Sequence, residues 1–163
     1  MIEEFSALVD QDLFDKSGKV FYSGRNAFSS PSNIYLLGIN PGGCPKRQAN
    51  ETIKQSIHCV SKDHAAEWSA YSDECWEGRN KGEYGLQRPV LSLFKQLDLD
   101  IRKIPASNSI FVRSPVENAL TAAEKKKLLE PKNSSRYVFD GMRIMHYQSH
   151  DAQSCPLSPS PDG

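Results

Sequence analysis

Asn40 is the one reactive polar side chain in a turn otherwise made of glycine, proline and isoleucine, Gly38-Ile39-Asn40-Pro41-Gly42-Gly43. Its carboxamide can donate and accept at once. It can orient a water molecule through the carbonyl oxygen, although it is a weaker base than a carboxylate. Glycines on either side let the backbone pack close to a ligand. A phosphate cradle is the first alternative, since Gly38 and Gly43 have the spacing of the two P-loop glycines. Cys44 and Pro45 then stand where Lys and Ser/Thr are required, and Pro45 removes a donor N–H. A nucleotide triphosphatase is excluded on that ground. The second alternative is a metal or thiol site from His58, Cys59, His64 and Cys75. There is no C-x-x-C pair, and neighbouring His58 and Cys59 point to different faces of a helix. No metal site and no Cys-His nucleophile pair is expected from them.

The elements that must position Asn40 can be read from apolar periodicity. Ile34 to Leu37 is a short apolar run bounded by turn formers, the pattern of a buried strand, so the turn lies at its carboxyl end. In open α/β sheets that end is where ligands bind. Before it, Phe5, Leu8, Val9 and Leu13 predict a helix over 3–14, and Val20 to Arg25 an extended segment. After it, Ala49, Ile53, Ile57 and Val60 predict a helix, with a further piece from Asp63 through Ala65, Ala66 and Trp68. Ser69 to Arg88 reads as a long polar loop whose Tyr71, Trp76 and Tyr84 are candidate stacking surfaces or local packing. Pro89 suits a helix start, and Val90, Phe94, Leu97 and Ile101 trace its buried stripe. Ser107 to Arg113 predicts the second strand. Thr121 to Glu124 has capping-box spacing for a helix running to Leu129.

The pattern changes at Pro131. Asp140-Gly141, flanked by Tyr137-Val138-Phe139 and Met142 to Tyr147, predicts a hairpin, and 149–163 reads as a polar, proline-bearing tail. The division expected is therefore an α/β domain over 1–130 and an atypical tail over 131–163. The 163 residues suffice for one domain with a real core, and 38% of them are apolar. Twenty basic residues balance twenty acidic ones, so net charge does not announce a nucleic-acid partner and does not exclude one. No apolar h-region follows the acidic start, and no stretch has the apolar length of a membrane span. The four cysteines read as reduced intracellular thiols.

Strand-Gly38-Ile39-Asn40-Pro41-Gly42 resembles the first motif of the uracil-DNA glycosylase superfamily, in the branches that read G-I-N-P-G or G-M-N-P-G. Leu86-Gln87-Arg88-Pro89 opening a helix, and Ile110-Phe111-Val112 in the next strand, are similar in order to bacterial members. The resemblance covers about residues 30 to 130. It implies a three-layer α/β/α fold with a mostly parallel sheet, incomplete at its C-terminus. It also implies hydrolysis of the N-glycosidic bond of uracil or another damaged base without a cofactor or metal. The partner would be single- or double-stranded DNA, with no membrane. A monomer in the bacterial cytoplasm, or in the nucleus of a eukaryote, is implied with it. Asn40 would orient the attacking water, with Gly38, Ile39, Pro41 and Gly42 shaping the substrate pocket. Lys46 and Arg47 are candidate phosphate contacts.

Two departures from the family pattern bear on activity. Single-strand-selective members end their second strand in an asparagine that reads the uracil edge, and the position assigned to it here holds Ser114, with one hydroxyl in place of an amide. The closing His-Pro-Ser-like loop that supports the leaving base has no counterpart around His146 or His150. A truncated or frame-shifted copy would end this way. The alternative reading is accordingly a catalytically inactive nucleic-acid-binding homologue, and a weaker third is a small nucleotide-ligand binder using the glycine loop.

Overall fold

The computed structural model describes residues 9–29, 31–63, 66–115, 119–128 and 143–146. Its centre is a sheet of three parallel strands, β1 (Ile34–Gly38), β2 (Ala106–Asn108) and β3 (Arg143–His146), in the order β2-β1-β3. β1 pairs Leu36 with Ala106 and Gly38 with Asn108 on one side, and Ile34 with Arg143 through Leu37 with His146 on the other. Tyr35, Leu36 and Leu37 are all buried, so both faces of β1 are covered. Continuous burial of this kind is what an unbroken apolar run in a parallel strand specifies. The second arm expected for the Asp140-Gly141 hairpin thus contains a parallel strand on β1. Its first arm and turn lie outside the described residues.

The extended segment expected from Val20 to Arg25 begins earlier and crosses the sheet's other partner. Isolated antiparallel bridges join Gly18 to Val112 and Phe21 to Ser107. Lys19 N–H donates to Phe111 O (3.0 Å) and Tyr22 N–H to Ala106 O (2.9 Å). Gly18 is required there, because a Cβ would collide with the Phe111 carbonyl and the Ile53 side chain.

Among the described residues there are four α-helical segments: α1 (Ile53–His58), α2 (Ala70–Asp73), α3 (Gln87–Gln96) and α4 (Ala122–Leu128). Thr52 caps α1 through the Gln55 N–H, and a π-type turn over Cys59–Asp63 extends it. The helical piece expected from Asp63 to Trp68 is not present at 66–68, and residues 64–65 lie outside the description. α2 interrupts the loop expected from Ser69 to Arg88. In α3, Pro89 occupies the first turn and Val90 and Phe94 are buried as their spacing requires. Leu97, just past its end, is 44% exposed, while Ile101, the last residue expected in the stripe, is buried from a separate 3-10 turn. The capping box of α4 forms: Thr121 N–H meets Glu124 Oε2 at 2.8 Å, and Glu124 N–H meets Thr121 Oγ1 at 3.2 Å. Of the helix expected over 3–14, residues 3–8 lie outside the described residues, and the remainder holds a 3-10 turn over Gln11–Leu13.

Polar side chains tie these elements together. Gln87 donates to Ala70 O (3.0 Å) and Glu74 O (2.9 Å) and accepts from Tyr84 N–H (3.1 Å), fixing α3 against α2. Asp73 at the end of α2 takes a two-pronged bond from Arg102, at 2.6 and 3.0 Å. Burial alone would raise the Asp73 carboxyl, but hydrogen bonds from Arg102, the Ser69 backbone and Ser72 outweigh it and hold the group below its ordinary value. A depressed carboxylate stabilises the fold above its unfolded pKa and loses that contribution as pH falls through its folded pKa. With Arg102 41% exposed, solvent limits the pair to about 0.5–1 kcal/mol. Thermal melts of the wild type and Asp73→Asn should therefore differ by a constant amount above about pH 5 and draw together as the pH falls through the lowered folded pKa of the group. A gap that persists unchanged into acid would contradict the assignment.

Candidate functional site

The loop leaving β1 does not hang free of the sheet. Beyond the paired strands, Ser109 N–H donates to Gly38 O (2.8 Å), Ile110 N–H to Ile39 O (2.8 Å) and Ser114 N–H to Pro41 O (3.2 Å). The stretch 109–114 thus runs beside the motif from Gly38 to Pro41 and holds it in place. Pro41 is fully buried. Gly43 adopts a φ of 99°, a conformation for glycine, where a Cβ would also strike the Gln48 side chain.

Arg113 is the anchor beneath this loop. Its guanidinium donates to Gly42 O, to Glu51 Oε2 (2.7 Å) and, through Nε, to Ser17 Oγ (3.2 Å), with only 6% of its side chain exposed. Ser17 O in turn accepts the Arg113 N–H at 2.8 Å. Arginine suits the position because its rigid fork reaches three acceptors in different directions.

Asn40 is half-buried and its amide is oriented. Nδ2 donates to Ser114 Oγ (2.8 Å), Pro41 O (3.1 Å) and Ser114 O (3.3 Å). Two of those acceptors are carbonyl oxygens that cannot donate, which fixes the nitrogen toward them and the oxygen away. Among the described residues no donor meets Asn40 Oδ1. The side chain is therefore held by one end and offers the other as an acceptor, the arrangement needed to orient a water.

The structure brings Asn40 and Ser114 into direct contact, so Ser114 serves the motif asparagine. The strand itself ends elsewhere. The sequence reading ran the second strand from Ser107 to Arg113, but β2 stops at Asn108. The strand does end in an asparagine, and sequence reasoning missed it because the β-branched run after it looked more strand-like. The side chain of Asn108 lies over Gly38, where a Cβ would collide with its Oδ1. Its Nδ2 lies 3.5 Å from Lys19 O, and Tyr22 is hydrogen-bonded to the same amide.

Lys19 closes this side of the site. Nζ donates to both oxygens of Glu74 at 2.6 Å and lies over the rings of Tyr22 (4.9 Å) and Trp68 (5.4 Å). Trp76 Nε1 donates to Glu74 Oε2 at 2.8 Å. Burial pulls the ammonium below the ordinary lysine value, while Glu74 opposes the shift. Burial likewise pushes the Tyr22 hydroxyl up to about 12, against the bond from Asn108, so it is neutral at physiological pH.

The other sequence candidates scatter. Tyr71 is buried and packs with Tyr22 (5.6 Å) and Trp76 (5.7 Å), which makes it core. Gly42 is exposed, with open space where a Cβ would lie, and its contribution is its carbonyl. Ile39 is half-buried, and Lys46 and Arg47 are exposed in the turn that follows. His58 is exposed at the end of α1, beside Cys59, and Cys75 lies in the loop after α2; His64 lies outside the described residues. Cys59 and Cys75 are free thiols, whereas Cys44 is disulfide-bonded. The expectation of four reduced thiols fails at Cys44, since nothing in the spacing of the cysteines signals which of them meet in space.

The strands and helices define a mixed α/β protein with a small parallel sheet, carrying an oriented asparagine on the loop at the carboxyl end of its central strand. Comparison with protein-family models, curated proteins and solved structures finds no match for the chain. No helix among the described residues is long and apolar enough to cross a membrane.

Gly38→Ala tests the contact at the centre of the site. The new methyl must displace the Asn108 amide from its bonds, so the variant should lose about 1–3 kcal/mol of stability in denaturant titration. A wild-type midpoint would show that Asn108 is not packed there.

Proposed function

We propose that the chain is a DNA base-excision glycosylase of the uracil-DNA glycosylase type, hydrolysing the N-glycosidic bond of uracil or another damaged base. On this reading its parallel sheet is the centre of a three-layer α/β/α domain. The observation that carries the reading is the anchoring of Asn40: Nδ2 is spent on Ser114 and Pro41, leaving Oδ1 to accept a hydrogen bond. A water held by that oxygen attacks C1′ as the C1′–N bond stretches. An amide takes up little of the proton, so catalysis rests on position and on the oxocarbenium character of the sugar.

Asn108 is the second carboxamide at this end of the sheet: it ends β2 beside Gly38, with its Nδ2 directed to Lys19 O, and forms part of the pocket wall. Reaching the base requires extruding its nucleotide from the stack, which costs least in single-stranded or mismatched DNA. Lys46 and Arg47, exposed just past the motif, are placed to meet backbone phosphates.

The test is cleavage of single- and double-stranded oligonucleotides carrying one uracil, followed by alkaline strand scission. The wild type should excise the base, and Asn40→Ala should fall by about 10²–10⁴-fold while still binding DNA. Salt-sensitive binding with no excision by the wild type would instead identify a catalytically inactive nucleic-acid-binding homologue.

A further inference from the structure

We propose that Lys19 is a catalytic residue whose ammonium stabilises the negative charge developing on a carbonyl oxygen of the departing base. The site would then take oxo-substituted pyrimidines. This rests on the glycosylase reading above and adds to it a residue, a role and a substrate class.

Three observations converge on Lys19. The first is its unspent donor capacity. An ammonium has three N–H groups, and Lys19 directs two hydrogen bonds at Glu74, one to each oxygen. No acceptor among the described residues meets the third. The second is access: 19% of the side chain is exposed, so a ligand can reach it, yet the rings of Tyr22 and Trp68 screen it from bulk water. A charge in such a setting acts more strongly on a developing anion than one in open solvent. The third is location. Asn108 reaches toward the Lys19 carbonyl, and Tyr22, whose ring lies under the ammonium, is hydrogen-bonded to the Asn108 amide. A base seated against Gly38 and Asn108 would thus lie near the ammonium.

Glu74 explains how the ammonium is kept charged and aimed. Trp76 Nε1 holds the carboxylate, and the carboxylate holds Lys19 by two of its protons. That leaves a single direction for the third.

The step balances without a co-reactant. The C1′–N bond breaks with its electron pair going to the base nitrogen, and the charge spreads onto the ring's carbonyl oxygens. There the Lys19 N–H donates a hydrogen bond and keeps its proton. The oxygen of the water held by Asn40 bonds to C1′ and releases a proton to solvent. The base anion takes a proton from solvent as it leaves.

A leaving-group comparison separates this role from a structural one. Single-turnover excision is measured on oligonucleotides bearing uracil or 5-fluorouracil, the latter leaving more readily because its anion is more stable. Folding is checked by circular dichroism. Lys19→Met should slow uracil excision about 10²-fold and 5-fluorouracil excision at least about tenfold less, and Lys19→Arg should restore part of the loss. Equal losses on both bases, or none, would overturn the assignment of Lys19 while leaving the glycosylase reading intact. A wild type that excises neither base overturns that reading and this one with it. Should Lys19→Met fail to fold, Glu74→Gln serves: without the carboxylate that keeps it charged and aimed, the ammonium should support uracil excision less, and the uracil rate should fall relative to 5-fluorouracil. An unchanged ratio in that variant counts against the proposal.

Discussion

A buried guanidinium holds the loop on which the site depends. Arg113 joins Gly42, Glu51 and Ser17, which come from the motif turn, the approach to α1 and the first extended segment. Burying a charge is costly unless well-placed acceptors meet it, and here each of the three guanidinium nitrogens finds one, in a carboxylate and two neutral oxygens. The arrangement gives the loop after β1 a fixed floor. Asn40 inherits its position from that floor, because the segment that delivers Arg113 also delivers Ser114, the partner of its amide.

The same economy appears on the other side of the turn. Gly38 has no side chain, so Asn108 can lie against the backbone of β1, and the amide is then steadied by Tyr22 and the Lys19 carbonyl. Two carboxamides therefore flank the carboxyl end of the central strand, each held by groups outside its own strand. Beyond Asn108 lies an ion pair shielded by aromatic rings.

Much of the frame was legible in the residues. The apolar run before Gly38 became β1, Thr121 and Glu124 formed their reciprocal cap, and Val90 and Phe94 pointed inward. Local patterns of that kind depend on neighbours in sequence, and sequence records them. The end of β2 was not legible. Ile110-Phe111-Val112 has the stronger β character, but pairing with β1 stops at Asn108, after which the backbone turns its hydrogen bonds to the motif loop and to Ser17–Lys19. Which asparagine or serine faced Asn40 was thus decided by long-range register. The pairing of Lys19 with Glu74, and the disulfide at Cys44, were hidden for the same reason.

The order β2-β1-β3 places the earliest strand between two that come much later in the chain. Leu36 finds Ala106 on one side and Met145 on the other, so every contact in the sheet closes a long loop. Loop closure of that kind is entropically expensive and slows folding. During synthesis, the apolar Tyr35-Leu36-Leu37 run must wait, uncovered, until most of the chain has left the ribosome. The residues that make the central strand so well buried at the end are therefore the last to gain their neighbours in the sheet.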